Sequence, residues 1–333
     1  MKINLFYKKS WKKFKKDKLA LISLGFILML TLMSIFSYTF MIDKSKYASE
    51  MNLELSALPP FTKVSILTIN GETIFAKDVK EDNVGLSYSL INDSQYLEYK
   101  GEYSKSDITY YFGTDKYGRD LYSRIIYGSR VSLSIGFIAV IISLILGILF
   151  GSFSGYFGGR VDDIIMWIVN VMWSIPTLLM VISITLALGK GFWQVFIAVG
   201  LTMWAEVARV VRGEFIAQKN REYVEAGKIL AYSSFRIIFK HILPNILAPI
   251  IVISASNFAA AILIESGLSF LGLGAQPPIP TWGGMIKDHY NYIIMDKSYL
   301  AIIPGVFIMT SVLAFMFLGN GLRSSLDVKQ KSE

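Results

Sequence analysis

The chain has 333 residues, no cysteine and two histidines, His241 and His289. Disulfides, thiolate nucleophiles and cysteine-ligated metals are therefore excluded, and the sequence carries no mark of the redox compartment. The two histidines stand far apart. No HExxH pair, no Cys/His cluster and no GxxxxGKS/T phosphate loop occurs, so the chain offers no metal centre and no nucleotide site of its own. Charge is also scarce: 17% of residues are Asp, Glu, Lys or Arg, against about 25% in soluble domains.

Apolar residues are abundant, at 53% of the chain with a mean hydropathy of +0.48, which points to a membrane protein. A net charge of +8 admits a nucleic-acid partner. The positive residues, however, sit beside the apolar runs, as in the cytoplasmic loops of membrane proteins. Membrane lipid, and not nucleic acid, is the expected neighbour.

Residues 1–18 hold eight lysines and one acid, Asp17, and read as a basic cytoplasmic tail. Residues 19–40 follow without a charge. That length matches the roughly 20 residues a membrane helix needs and exceeds a signal-peptide core, so an uncleaved first span is expected. Residues 41–118 carry twelve acids against eight lysines and read as an extracellular segment. Within it, Asn70-Gly71 between the β-branched runs VSILT and ETIFA signals a type I′ hairpin. Gly85–Ile91 and Tyr96–Tyr103 look like further strands, giving a β-rich insert at about 61–110.

The five remaining spans fall in 119–333. LYSRIIYGSR, from Leu121, is amphipathic and is expected along the outer interface, ahead of an uncharged span at Val131–Gly151. In that span Gly136, Ser143, Gly147 and Gly151 recur near four-residue spacing, which favours close helix packing in lipid. Ile164–Leu188 is a third span, bent at Pro176, and Gly189-Lys190-Gly191 is an outer turn. A fourth begins at Phe192 and runs into EVARVVRGEF, where Glu206, Arg209 and Arg212 share one helical face. These charges belong near the inner mouth, and pairing among themselves is the simplest role for them. Ile246–Ile264 and Tyr299–Leu318 are spans five and six. Between them lies GLSFLGLGAQPPIPTWGGMI, too rich in Gly and Pro to be helical. It is expected to be an outer or re-entrant loop, with Glu265, Gln276, Pro277, Pro278 and Trp282 as pore-side candidates, a structural hydrogen bond to the loop being the simpler role for Glu265. The fold class is thus an all-α membrane protein with six transmembrane helices and a small β-rich extracellular insert after the first.

The stretch 221–245, REYVEAGKILAYSSFRIIFKHILPN, is the longest polar, basic run between strongly apolar segments. Ala226, Ile229 and Leu230 recur at helical spacing, with Glu222, Glu225 and Lys228 on other faces. Tyr232, Ser233 and Ser234 interrupt the pattern, and Ile237, Ile238, His241 and Ile242 resume it. Two short helices joined by a turn are expected over about 219–243. Such a hairpin is either an ordinary amphipathic loop or a docking device.

The residues EYVEA and RIIF-x-HILPN resemble the EAA loop of ABC importer permeases, and within these the oligopeptide/dipeptide/nickel permease family. FGTDKYGRD, GYFGGRVDD and FLGLG-x-QPP-x-P-x-WG resemble the same family in the same order. The resemblance implies the type I importer permease fold, with no catalysis and no cofactor in this chain. It implies ATP and Mg2+ in two cytoplasmic ATPase subunits, a second homologous permease completing the pore, and an extracellular or lipid-anchored binding protein delivering peptides. It also implies that Glu222, Tyr223, Glu225, Ala226, Gly227, Leu230 and Ala231 couple the pore to the ATPase. Six spans and the excess of Lys and Arg in the N-terminal tail and between 205 and 243 place both termini on the cytoplasmic side of the plasma membrane. Two positions depart from the pattern. Gly227 replaces a second alanine, and Ala231 replaces the glycine of the turn, so the turn should keep φ negative or move. Nickel or another small solute is an alternative cargo. A secondary transporter would place charges inside the spans, and 131–151, 164–188 and 299–318 have none. A membrane scaffold would leave the apolar side of the hairpin unexplained.

Overall fold

Uncharged runs become helices, and most of these helices extend beyond the uncharged run itself. The computed structural model describes residues 10–82, 85–91, 93, 95–189 and 191–326. The first nine residues of the basic tail, Lys190 of the outer turn and the last seven residues of the chain lie outside that set. The chain folds into two compact units, one of residues 1–32, 132–276 and 307–333, the other of residues 33–131 and 277–306.

Helix α1 covers Lys18–Ile35; the Asp17 carboxylate accepts from the Ala20 amide at 3.1 Å, capping its first turn. A separate short turn, Ser37–Phe40, comes next. Helix α2 runs 37 residues, Leu121–Phe157, ten residues longer at its start than the uncharged run. LYSRIIYGSR forms the opening turns of α2. Asp120 caps it, accepting the Ser123 amide at 3.0 Å, and no proline interrupts the helix as far as Phe157.

The third apolar run departs further from expectation. It forms two helices, α3 Gly159–Ser174 and α4 Thr177–Leu188, bent by 95°. Pro176 lacks an amide donor and forces the preceding residue out of the α region; Ile175 is accordingly extended at φ −98°, ψ 128°. Helix α5 spans Phe192–Lys219 and α6 Glu222–Ile229. Helix α7, Leu247–Phe270, passes through Glu265 instead of ending before it. It closes where Gly272, at φ +79°, donates to Ser269 O and Leu273 donates to Leu268 O, at 3.0 and 2.8 Å, a Schellman closure that glycine permits. Helix α8, Trp282–His289, replaces part of the expected loop: Thr281 Oγ1 accepts the Gly284 amide at 3.0 Å and starts it. Helix α9 is Tyr299–Leu326. Among the described residues, five helical runs are long and apolar enough to cross a membrane, or six if α3 and α4 make one bent crossing.

In the first unit, α2 and α5 lie in contact along a glycine stripe. A Cβ on Gly147 would stand 2.4 Å from Val207 Cβ, one on Gly151 2.5 Å from Ala208 O, and one on Gly155 2.5 Å from Phe215 Cβ. Only glycine allows this approach. The contacting residue numbers rise together, so the two helices run parallel.

In the second unit the insert is a five-stranded antiparallel sheet, order β4-β3-β2-β1-β5: β1 Thr62–Ile69, β2 Glu72–Asp82, β3 Gly85–Leu90, β4 Tyr96–Tyr99 and β5 Tyr103–Tyr110. Asn70 and Gly71 both have positive φ, 52° and 85°, as a type I′ turn demands. The single strand expected at Tyr96–Tyr103 is in fact one strand and the start of another, on opposite edges of the sheet. The last strand returns to β1, with Thr62 opposite Tyr110. Leu67, Ala76, Leu86 and Tyr88 bury one cluster, and Val64 and Tyr110 bury another with Leu55 and Leu58 of the preceding segment.

Candidate coupling hairpin

The 221–245 stretch forms the expected pair of helical arms. The first arm is α6. Glu222 and Glu225 lie in its first turn and Lys228 in its last, each favourable to the helix dipole. Ser233 Oγ accepts the Arg236 amide and starts the second arm. That arm passes through a π-turn at Ile237–Ile242 and a 3₁₀ turn at Leu243–Ile246 before continuing as α7.

The turn between the arms is a second Schellman closure. Tyr232 donates to Gly227 O and Ala231 donates to Lys228 O, both at 3.0 Å. Ala231 sits at φ +53°, which corrects the expectation that alanine would hold φ negative here. The two hydrogen bonds and the packing of Tyr232 override the alanine's steric preference. A left-handed alanine costs about 1–2 kcal/mol. Ala231→Gly recovers this less the roughly 0.4–1 kcal/mol that glycine adds to the entropy of the unfolded chain. At Gly227 an added Cβ would make only ordinary contacts, 3.6 Å to Tyr232 and 3.7 Å to Ile237. Gly227→Ala should therefore gain about 1 kcal/mol of helix stability. Amide exchange at Leu230–Tyr232 should slow about twofold to fivefold in either variant. Unchanged exchange in both would contradict this turn geometry.

Anchoring and display fall on opposite faces. Val224, Ile237, Ile238, Ile242 and Ile246 are fully buried against Val207, Val211 and Phe215 of α5, with Leu144, Ile148 and Tyr156 of α2 packed around them. Tyr232 stacks on His241 at 5.4 Å, and Arg236 lies 4.0 Å over the Tyr232 ring. The Tyr223 hydroxyl donates to Gln218 at 3.0 Å, and burial, the largest influence on it, raises its pKa. The opposite face is open: Ile229 is 85% exposed, Phe235 66% and Leu230 63%. Glu222, Glu225, Ala226 and Ala231 are exposed around them, while Gly227 faces inward. Phe235 belongs to this face although the sequence pattern does not single it out. Its near neighbour Phe239, 4.5 Å away ring to ring, is half-buried, and sequence spacing alone does not separate the two.

The inner-face charges are not paired with one another, contrary to expectation. Arg212 grips Asp162 of α3 with two bonds of 2.6 Å. Arg209 donates to Asn170 at 3.0 Å and lies 3.7 Å over Trp173. Glu206 is exposed and takes none of them. Residues three apart on a helix share a face, but α3 packs along α5 and supplies better-placed partners.

The outer-loop candidates separate likewise. Glu265 is fully buried within α7, accepting from Ser132 of α2 at 3.2 Å and from Ser269 at 2.7 Å. Trp282 is fully buried and donates to Ile125 O at 3.1 Å. Both sit in packed interior and hold neighbouring segments together. Gln276, Pro277 and Pro278 are exposed, with Gln276 donating to Gly274 O at 2.9 Å.

Known proteins resemble this chain over most of its length. A family described as "Binding-protein-dependent transport system inner membrane component" matches residues 147–328. A second, "N-terminal TM domain of oligopeptide transport permease C", matches residues 6–60. The dipeptide transport system permease protein DppC of Lactococcus lactis subsp. cremoris MG1363 is 32% identical over 332 residues, covering 98% of this chain and 92% of that protein. DppC of Bacillus subtilis strain 168 is 42% identical over 220 residues, covering 66% and 69%. Among solved structures, an inward-facing MetNI methionine ABC transporter aligns at a TM-score of 0.50 with 15% identity, covering 61% of this chain and 95% of that one, a likeness of fold alone. The chain therefore belongs to the binding-protein-dependent transport system inner membrane components, as a multi-pass permease subunit of an ABC importer.

Proposed function

We propose that this permease carries dipeptides or oligopeptides and that the 221–245 hairpin is its docking site for a cytoplasmic ATPase. The observation that carries the reading is the two-faced hairpin: one side fixed by four buried aliphatic side chains, Val224, Ile237, Ile238 and Ile242, the other a bare apolar tip of Ile229, Leu230 and Phe235. An exposed apolar cluster on a rigid support is the mark of a partner site. The peptide cargo rests on relatives named as dipeptide and oligopeptide permeases.

Six crossings are supported by α2 and α5 running parallel. Between two parallel crossings the chain must return once, and the bent pair α3–α4 is the only helical segment there among the described residues. This arrangement would put both termini on the hairpin side. The charge bias makes that side cytoplasmic: it holds eight lysines in the first 18 residues and seven Lys/Arg between 205 and 243. A second, similar permease completes the pore. Two ATPases supply ATP and Mg2+, and an outer binding protein delivers cargo. ATPase closure moves the hairpin as a rigid lever and shifts the bundle between two states.

The test is purification of the tagged chain in mild detergent, followed by ATP-driven uptake in liposomes. Recovery with a second permease and two ATPases, and accumulation of a labelled dipeptide given the binding protein, is the expected result. Recovery of the folded chain alone overturns the docking reading. Uptake of nickel ion without peptide overturns the cargo.

A further inference from the structure

The first unit contains two cavities, of about 400 and about 380 Å3, that meet at a single side chain, Glu206. One helix lines both: Ala248, Val252 and Ser256 of α7 face the first, Ala260 and Ile264 the second. These five residues succeed one another at four-residue spacing, a stripe that winds about 160° around the helix as it passes from the first cavity to the second. From Ala248 to Ile264 the stripe spans about 24 Å at 1.5 Å per residue, most of the roughly 30 Å hydrocarbon thickness of a bilayer. The two cavities follow one another along α7, and Glu206 of α5 is on the wall of both.

Among the described residues Glu206 has no ion pair or hydrogen bond. The nearest cations on its helix are committed elsewhere, Arg212 to Asp162 and Arg209 to Asn170 and Trp173. Glu214 and Arg323, of opposite sign, also line the first cavity; the second has no other charged residue on its wall among the described residues. A carboxylate facing lipid is costly, whereas one facing a wetted path is not, and intramembrane charge marks substrate routes. From this geometry we infer that Glu206 is a specificity residue of the translocation track, attracting positively charged groups of the cargo and repelling carboxylates. The inference rests on the peptide-importer reading above.

The test compares uptake of two tripeptides differing only in a central Lys or Glu, by the complete transporter in liposomes. Wild type should favour the lysine peptide; Glu206→Gln should lower that preference about fivefold, the worth of one partly solvated charge pair, and Glu206→Lys should reverse it. Because this chain has no cysteine, Glu206→Cys gives it a single thiol. Tagging that thiol with an anionic methanethiosulfonate should restore the lysine preference, and a cationic reagent should not. Equal loss for both peptides, or an unchanged ratio with uptake intact, overturns the role of Glu206. Absence of uptake of either peptide by an assembled wild-type transporter overturns the importer reading instead.

Discussion

Replacing Ile229 and Leu230 together by aspartate should abolish ATP-driven uptake while leaving the chain folded and inserted. The two side chains are 85% and 63% exposed and contribute little to the chain's own core. Buried in an ATPase groove, each would contribute about 1.5–3 kcal/mol. Losing both weakens docking by roughly 3–6 kcal/mol, about 10²- to 10⁴-fold in affinity. The carboxylates add desolvation against the same apolar groove. The recovered ratio of ATPase to permease reads the effect directly, and the permease's melting temperature serves as control. Val224→Asp gives the contrast: Val224 is fully buried in the anchor, so that variant should unfold the hairpin and lower the melting temperature. If the double aspartate variant retains its ATPase and its uptake, the tip is not the docking surface.

The sequence exposed the plan of this protein unevenly, and the reasons are physical. Runs without charge announce membrane helices because burying charge in lipid is costly. Asn70-Gly71 announces its turn because few other residues accept positive φ at both positions. Pro176 marks a bend, but its size, 95°, depends on what packs on either side. Boundaries are hardest to read where side chains decide them: the Asp120 cap carries α2 back to Leu121, and the Thr281 cap begins α8 inside a stretch that composition assigns to a loop. In the hairpin, the arms and turn are legible from spacing, and the exposure of Ile229 and Leu230 is not. A helical pattern identifies an apolar face without saying whether the chain itself covers it. Asp162 and Asn170 give no sign in the sequence because their partners, Arg212 and Arg209, are 50 and 39 residues away, beyond any local signal. Ala231 is the instructive case. Local propensity argues against a left-handed residue, and two capping hydrogen bonds win.

The largest stability effect is expected at Asp115, in FGTDKYGRD. Its side chain is fully buried. One oxygen accepts the Tyr117 and Arg119 amides at 2.8 and 3.1 Å; the other accepts Arg119 Nε at 2.6 Å and lies 3.7 Å from Arg124 Nε. Arg119 and Arg124 are themselves buried, so one carboxylate compensates two guanidinium groups. The same turn receives the Ala57 amide at Asp115 O, at 2.8 Å, and the Leu58 amide at Thr114 Oγ1, at 2.9 Å. It thereby ties the chain before the sheet to the chain after it. Asp115→Ala strands two buried cations, a change worth about 3–5 kcal/mol, and should lower the melting temperature by roughly 10 °C. Proteolysis should then open the segment between residues 52 and 120 first. The physical claim is electrostatic, so it has a specific rescue. Adding Arg124→Met to Asp115→Ala removes one stranded charge and should recover part of the loss, although Arg124→Met alone gives up the Arg124 Nη1 bond to Ala48 O at 3.3 Å. A double variant no more stable than Asp115→Ala would mean that Asp115 acts through its backbone-directed hydrogen bonds and not through charge.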